Sequence, residues 1–151
     1  MRLFCFPCRD LKNIPLGIAS KMWAVATVSE VAMKARASKA KKYLREGDVG
    51  LLYCNPIHSF TTPFVVKSRV DTGRVVRDIW PEAWVLPFDI EPLSNGTRAV
   101  SKDLAQQKWT LLNRLPWKGS ISATLNFTGT TIFVPTEVKN AEWDEIVSDL
   151  T

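Results

Sequence analysis

Apolar and polar positions along the 151 residues alternate between strand-like and helix-like periods, and the changes of period divide the chain into elements. Leu3 to Phe6 is a short apolar run that Pro7 ends, which predicts a first strand. Asp10 is placed to cap a helix running into Ile14, and Pro15 and Gly17 disturb its course. Met22-Trp-Ala-Val-Ala reads as a short extended segment. Ser29 to Leu44 has helical composition and closes at Arg45-Glu-Gly-Asp, where Gly47 suits a helix C-terminus. Val49 to Cys54 is a buried strand stopped by Asn55-Pro56, and Phe64 to Val70 alternates as a half-exposed strand should. Trp84 to Leu93 is a further strand in which Pro87 and Pro92 require an edge or a bulge. Thr124–Phe127 and Thr131–Val134 predict two more short strands. From Thr136 onward, an apolar stripe through Trp143, Ile146, Val147 and Leu150 predicts a C-terminal helix. The pattern describes one α+β domain over residues 1–151, a small β-barrel of about six strands flanked by two or three helices.

Composition narrows the function. The chain is 46% hydrophobic and 23% charged, ordinary values for a globular domain, and no apolar run approaches bilayer length. The opening Met1-Arg-Leu-Phe-Cys-Phe is too short and too interrupted for a signal peptide, so a cytoplasmic setting is expected. Three cysteines, an odd number, argue against a disulfide framework. A net charge of +5 and an isoelectric point near 9.3 favour a polyanionic partner. The charge is clustered: Lys34, Arg36, Lys39, Lys41, Lys42 and Arg45 follow one another without an acid, and Lys67, Arg69, Arg74 and Arg77 form a second group. Such clusters release counterions on meeting phosphates; Lys39, Lys41, Lys42 and Arg69 are the expected phosphate contacts. A solvated helix face accounts for the same residues without a ligand.

Six tryptophans are the other unusual feature. Trp143 lies on the apolar stripe of the last helix and Trp109 in a helical segment, so both are expected in the core or an interface; Trp117 follows a proline in a loop. Trp23, Trp80 and Trp84 each fall where a predicted strand meets a loop, a placement that can offer flat surfaces for a base.

The order of these elements and several local strings resemble the YTH and EVE domains of the PUA-like superfamily, including similar N-terminal domains of McrB-type modification-dependent restriction proteins. The strings are Lys21-Met-Trp23, Gly50-Leu-Leu-Tyr-Cys-Asn55, Val66-Lys-Ser-Arg-Val-Asp71, Ile79-Trp80 and Trp84-x-x-x-Phe88-Asp-Ile. They cover residues 1 to about 95 in order, with no usable correspondence between 96 and 130. The resemblance implies a non-enzymatic domain that reads a methylated base in DNA or RNA, flipped or unpaired, without a cofactor. N6-methyladenine is the first choice of base and 5-methylcytosine the second. It also implies that Trp23, Trp80 and Trp84 wall a cage, that Asn55 bonds a ring nitrogen, and that the Ala24 carbonyl takes the exocyclic N–H. A motor or nuclease domain or subunit is the implied partner. Trp80 and Trp84 are four residues apart where the YTH pattern has five, and Asn55 comes one position early.

Other classes compete. Cys5-Phe-Pro-Cys8 is a Cys-x-x-Cys between a strand and a helix, as in thioredoxin-like thiol-disulfide oxidoreductases. Cys5, Cys8, Cys54 and His58 are four soft ligands in Cys-x2-Cys and Cys-x3-His spacing, enough for a structural zinc site, although cysteines packed as small apolar residues explain them too. Glu82 and Asp89 lie near the tryptophans, as candidate catalytic carboxylates or, more simply, in solvated or capping roles. No catalytic triad, phosphate-binding glycine loop or HExxH helix is present. A protein-protein interaction module using exposed aromatics needs no basic rim and would show little dependence on salt.

Overall fold

The computed structural model describes residues 1–151. Its strands are β1 (Arg2–Cys8), β2 (Met22–Ala26), β3 (Val49–Cys54), β4 (Ser59–Val66), β5 (Val75–Val76), β6 (Trp84–Pro92), β7 (Val100–Ser101) and β8 (Thr136–Glu137). Its helices are α1 (Asn13–Ser20), α2 (Glu30–Tyr43), α3 (Lys102–Lys108), α4 (Thr110–Arg114), α5 (Ile121–Thr124) and α6 (Asn140–Leu150). The class is α+β, and the strands form one sheet in the order β2-β6-β4-β3-β1-β8. The two-residue strands β5 and β7 pair with β6 and β4 off this path. The ladder is open: its ends, β2 and β8, do not pair.

One pair in the sheet is parallel. β1 runs beside β3 with Leu3 opposite Val49 and Cys8 opposite Cys54. Parallel pairs are stable when both faces are covered, which is why Val49–Cys54 carries no polar position. Phe4, Phe6 and Cys8 of β1 enter one core with Trp23, Phe64 and Phe88. Leu3 and Cys5 enter a second core with Leu51, Tyr53, Trp109 and Trp143. Helices α1 and α2 cover the first core, and α3 to α6 the second. Gly50 is required where it stands, because a Cβ there would lie 2.1 Å from the Phe64 ring.

Several boundaries depart from the sequence pattern. The first helix starts at Asn13; Asp10 instead closes a turn, its carboxylate accepting the Lys12 N–H at 2.9 Å. Pro15 then falls in the first helical turn, where a missing N–H does no harm. Strand β4 begins at Ser59 rather than Phe64. The two strands expected at 124–127 and 131–134 do not form. Ser120 caps a helical turn by accepting the Ala123 N–H, and Asn126 and Phe133 take positive φ angles of 57° and 70°, which regular strand pairing does not accommodate. Thr136 opens the short strand β8, and the last helix follows from Asn140. No helix is long and apolar enough to cross a membrane.

Candidate nucleic-acid interface

The three tryptophans set at strand–loop junctions do meet. Trp23 on β2 stands nearly perpendicular to Trp80 and Trp84, at interplanar angles of 82° and 75°. Trp80 lies flat on Trp84. All three are buried: Trp23 is 1% exposed, Trp80 3% and Trp84 7%. Trp80 is fixed further by its indole N–H, which donates to the Asn13 carbonyl at 3.1 Å. Gly17 makes the cluster possible, since a Cβ at this helical position would sit 2.7 Å from the Trp23 ring.

A cavity of about 270 Å³ opens beside this cluster. Trp84 forms one wall; Trp23 and Trp80 lie behind and do not line it. Ala24 to Ala26 form a second wall, and the chain leaving β1, from Pro7 to Asp10, a third. The backbone at Ala24 is special. Trp23 pairs with Phe88 and Val25 with Val85, so two residues of β6, Leu86 and Pro87, oppose Ala24 alone. Leu86 takes a φ of 56° to make this bulge, and Pro87 follows it. The bulge anticipated from the prolines is therefore what takes Ala24 out of regular pairing, at the edge of the cavity. Polar side chains in the wall are Arg9, Asp10, Asn13, Thr27, Arg36 and Glu82.

The remaining expected site residues lie elsewhere. Asn55 is exposed in the turn after β3 and lines a separate cavity of about 430 Å³ with Tyr53, His58, Lys102 and Trp117, against the second core. It does not join the tryptophans. Lys39 on α2 donates to the Thr130 carbonyl. Lys41 and Lys42 are exposed in the last turn of α2, and Arg69 is exposed after β4. None of the four lines the tryptophan cavity. Asn13 was missed by sequence reasoning; its one signal was a place just after the first strand, in a segment read only as a helix start.

The thiol readings do not survive. Cys5 and Cys8 are three apart in a strand, so their side chains point to opposite faces and enter different cores. Burial pushes the Cys8 thiol up to about 12 and raises Cys5 and Cys54 as well, the reverse of a reactive thiol. The same separation scatters the zinc set: no group of three or more potential ligands converges anywhere in the molecule. Five of the six tryptophans are buried, so an interaction face built on exposed aromatics has only Trp117. Glu82 stands in the cavity wall, whereas Asp89 is exposed on β6.

This arrangement of sheet and helices is a YTH-like fold, as comparison with solved structures shows. The YTH domain of the Zygosaccharomyces rouxii MRB1 protein, solved with N6-methyladenosine RNA, superposes with a TM-score of 0.58 at 17% identity, over 97% of this chain and 84% of that one. The Pho92 YTH domain in complex with m6A gives 0.58 at 17% identity, over 99% and 84%. Rpa0253 from Rhodopseudomonas palustris gives 0.55 at 11% identity, over 98% and 92%. No protein-family model and no curated protein sequence matches the chain.

Proposed function

We propose that this domain binds nucleic acid and reads one modified base, flipped out or unpaired, in the cavity beside Trp84. The observation that carries the reading is the cavity itself: a flat indole, an unpaired stretch of backbone at Ala24 and the amide of Asn13 around about 270 Å³, below the 300–1,000 Å³ usual for drug-sized ligands. A planar ring with polar edges fits such a space, and the YTH-like fold holds N6-methyladenosine in two of the solved structures it matches. N6-methyladenine is the first base to test and 5-methylcytosine the second. Asn13 and the Ala24 backbone would bond its edge, and Trp84 would stack on its face. Lys39, Lys41, Lys42 and Arg69 would attract the backbone from outside the cavity. The domain binds rather than catalyses in this reading, and a nuclease or motor partner would act on what it finds.

Selectivity has to come from closure. Burying one methyl contributes only about 0.8 kcal/mol, less than tenfold. A larger preference requires that the unmethylated base leave a void or an unpaired N–H against the wall. Flipping from a duplex costs a few kcal/mol more, which single strands avoid. Fluorescence polarisation with single- and double-stranded DNA and RNA, methylated and unmethylated, at two salt concentrations tests the proposal. Tight binding of one methylated probe that persists at higher salt supports it. Equal, weak binding of every probe that disappears with salt reduces the domain to a basic surface.

A further inference from the structure

Two arginines share the cavity, and neither is ion-paired with an acid. Arg9 is the first residue beyond β1, and Arg36 reaches the same space from α2. The six ion pairs of the domain involve neither of them. Asp10 and Glu82 stand in the same wall without pairing to either guanidinium. Arg36 is half-buried, and its Nε is fully buried with no hydrogen-bond partner. A buried N–H donor without an acceptor is a destabilising feature that a folded domain seldom keeps without use. Burial, and then the neighbouring charge of Arg9, lower the Arg36 pKa, so the two cations sense each other across the space.

We infer that Arg9 and Arg36 form an anion site inside the cavity that holds a phosphate of the nucleotide whose base stacks on Trp84. The inference rests on the reading of the cavity as a base pocket. A guanidinium presents a planar fork that matches two phosphate oxygens, and the Arg36 Nε would be one tine of it. One phosphate would satisfy the orphaned donor and relieve the repulsion between the two arginines. This role differs from that of the lysines on α2. Lys41 and Lys42 are exposed and outside the cavity, so they suit any polyanion, whereas the arginine pair selects a phosphate of the same nucleotide whose base is bound.

The test compares nucleosides with their monophosphates by calorimetry: N6-methyladenosine and 5-methyl-2′-deoxycytidine, each with and without the 5′- or 3′-phosphate, and inorganic phosphate alone. The expected result is a preference of about tenfold or more for one phosphorylated form, the size of a charge-assisted contact. Arg9→Gln and Arg36→Gln should each reduce that ratio and the double variant should abolish it. Arg9 is exposed, so its variant remains informative if Arg36→Gln folds poorly. Trp84→Leu should weaken nucleoside and nucleotide together and keep the ratio. Nucleoside binding with no phosphate preference, or a preference that survives the double variant, overturns the anion site while the base reading stands. Arginine-dependent binding of inorganic phosphate without any nucleoside binding overturns the base reading and retains the anion site.

Discussion

Trp80 stacks on Trp84 with ring centroids 4.1 Å apart and planes 18° from parallel. A base held between two rings needs about twice the 3.5–4.0 Å contact distance, so none fits between these two as they stand. The pair therefore acts as one thick wall, with Trp84 at its surface and Trp80 behind it. Trp84→Leu should cost about 1–3 kcal/mol of binding to the modified base, the contribution of one stacked base, with near-native circular dichroism. Trp80→Ala should instead cost about 3–5 kcal/mol of stability in urea denaturation, as other large-to-small core changes do. A Trp80→Ala variant of native stability that cannot bind would mean that the rings part to admit the base.

Gly17 bears on the same cluster from the helix behind it. In an exposed helix interior, glycine to alanine is stabilising by about 1 kcal/mol. Here the new Cβ would meet the Trp23 ring at 2.7 Å, and that ring is braced edge-on by both Trp80 and Trp84. The ring has nowhere to retreat, so overpacking outweighs helix propensity. Gly17→Ala is expected to lower stability by about 1–3 kcal/mol and to shift tryptophan emission, read by urea denaturation and fluorescence. A more stable variant would show that the cluster is looser than its packing indicates.

Much of this arrangement was legible in the chain, for identifiable reasons. Val49–Cys54 reads as a fully covered strand because a central parallel strand tolerates no polar position. Pro87 points to the bulge because proline has no N–H to donate to a ladder, and the bulge lies opposite Ala24. Trp23, Trp80 and Trp84 could be grouped from their places beside loops. Their order in depth could not, since it depends on Gly17 admitting Trp23 and on the Asn13 carbonyl holding Trp80. Residues 124–134 misread as strands because Thr, Ile, Phe and Val favour strands by composition, while a Ser120 cap and two positive-φ residues decided otherwise. Asn55 and the tryptophans share a stretch of sequence order but not a face of the sheet.

The three thiols should be inert in the folded protein. Cys5, Cys8 and Cys54 are free and buried, and burial raises all three above the ordinary thiol range. At pH 8 a disulfide-exchange reagent should titrate them slowly in native buffer and rapidly in urea. Thermal denaturation with and without reductant should give the same midpoint. Fast native labelling at Cys8, mapped by mass spectrometry, would reopen the thiol chemistry that the opposed faces of β1 argue against.

Acid should loosen the second core first. Glu142 on α6 is buried and accepts two bonds from Arg114, Nε to Oε2 at 2.9 Å and Nη2 to Oε1 at 2.8 Å. Its Oε1 also accepts the Lys139 N–H at 2.9 Å, which caps the helix. These bonds, Arg114 foremost, hold the carboxyl at about 2, against 4.5 for an ordinary glutamate. A folded-state value below the unfolded one means that the carboxylate stabilises the domain fully above about pH 4.5. That contribution is lost progressively as pH falls from there through about 2, and only below that do folded and unfolded forms bind the proton equally. Glu142→Gln keeps an acceptor for Lys139 but removes the charge facing Arg114. Urea midpoints measured across pH 7 to 2 should therefore show a wild-type advantage that is constant at neutral pH and shrinks between pH 4.5 and 2. An advantage that stays constant through that window would mean that Glu142 contributes by shape and hydrogen bonding alone.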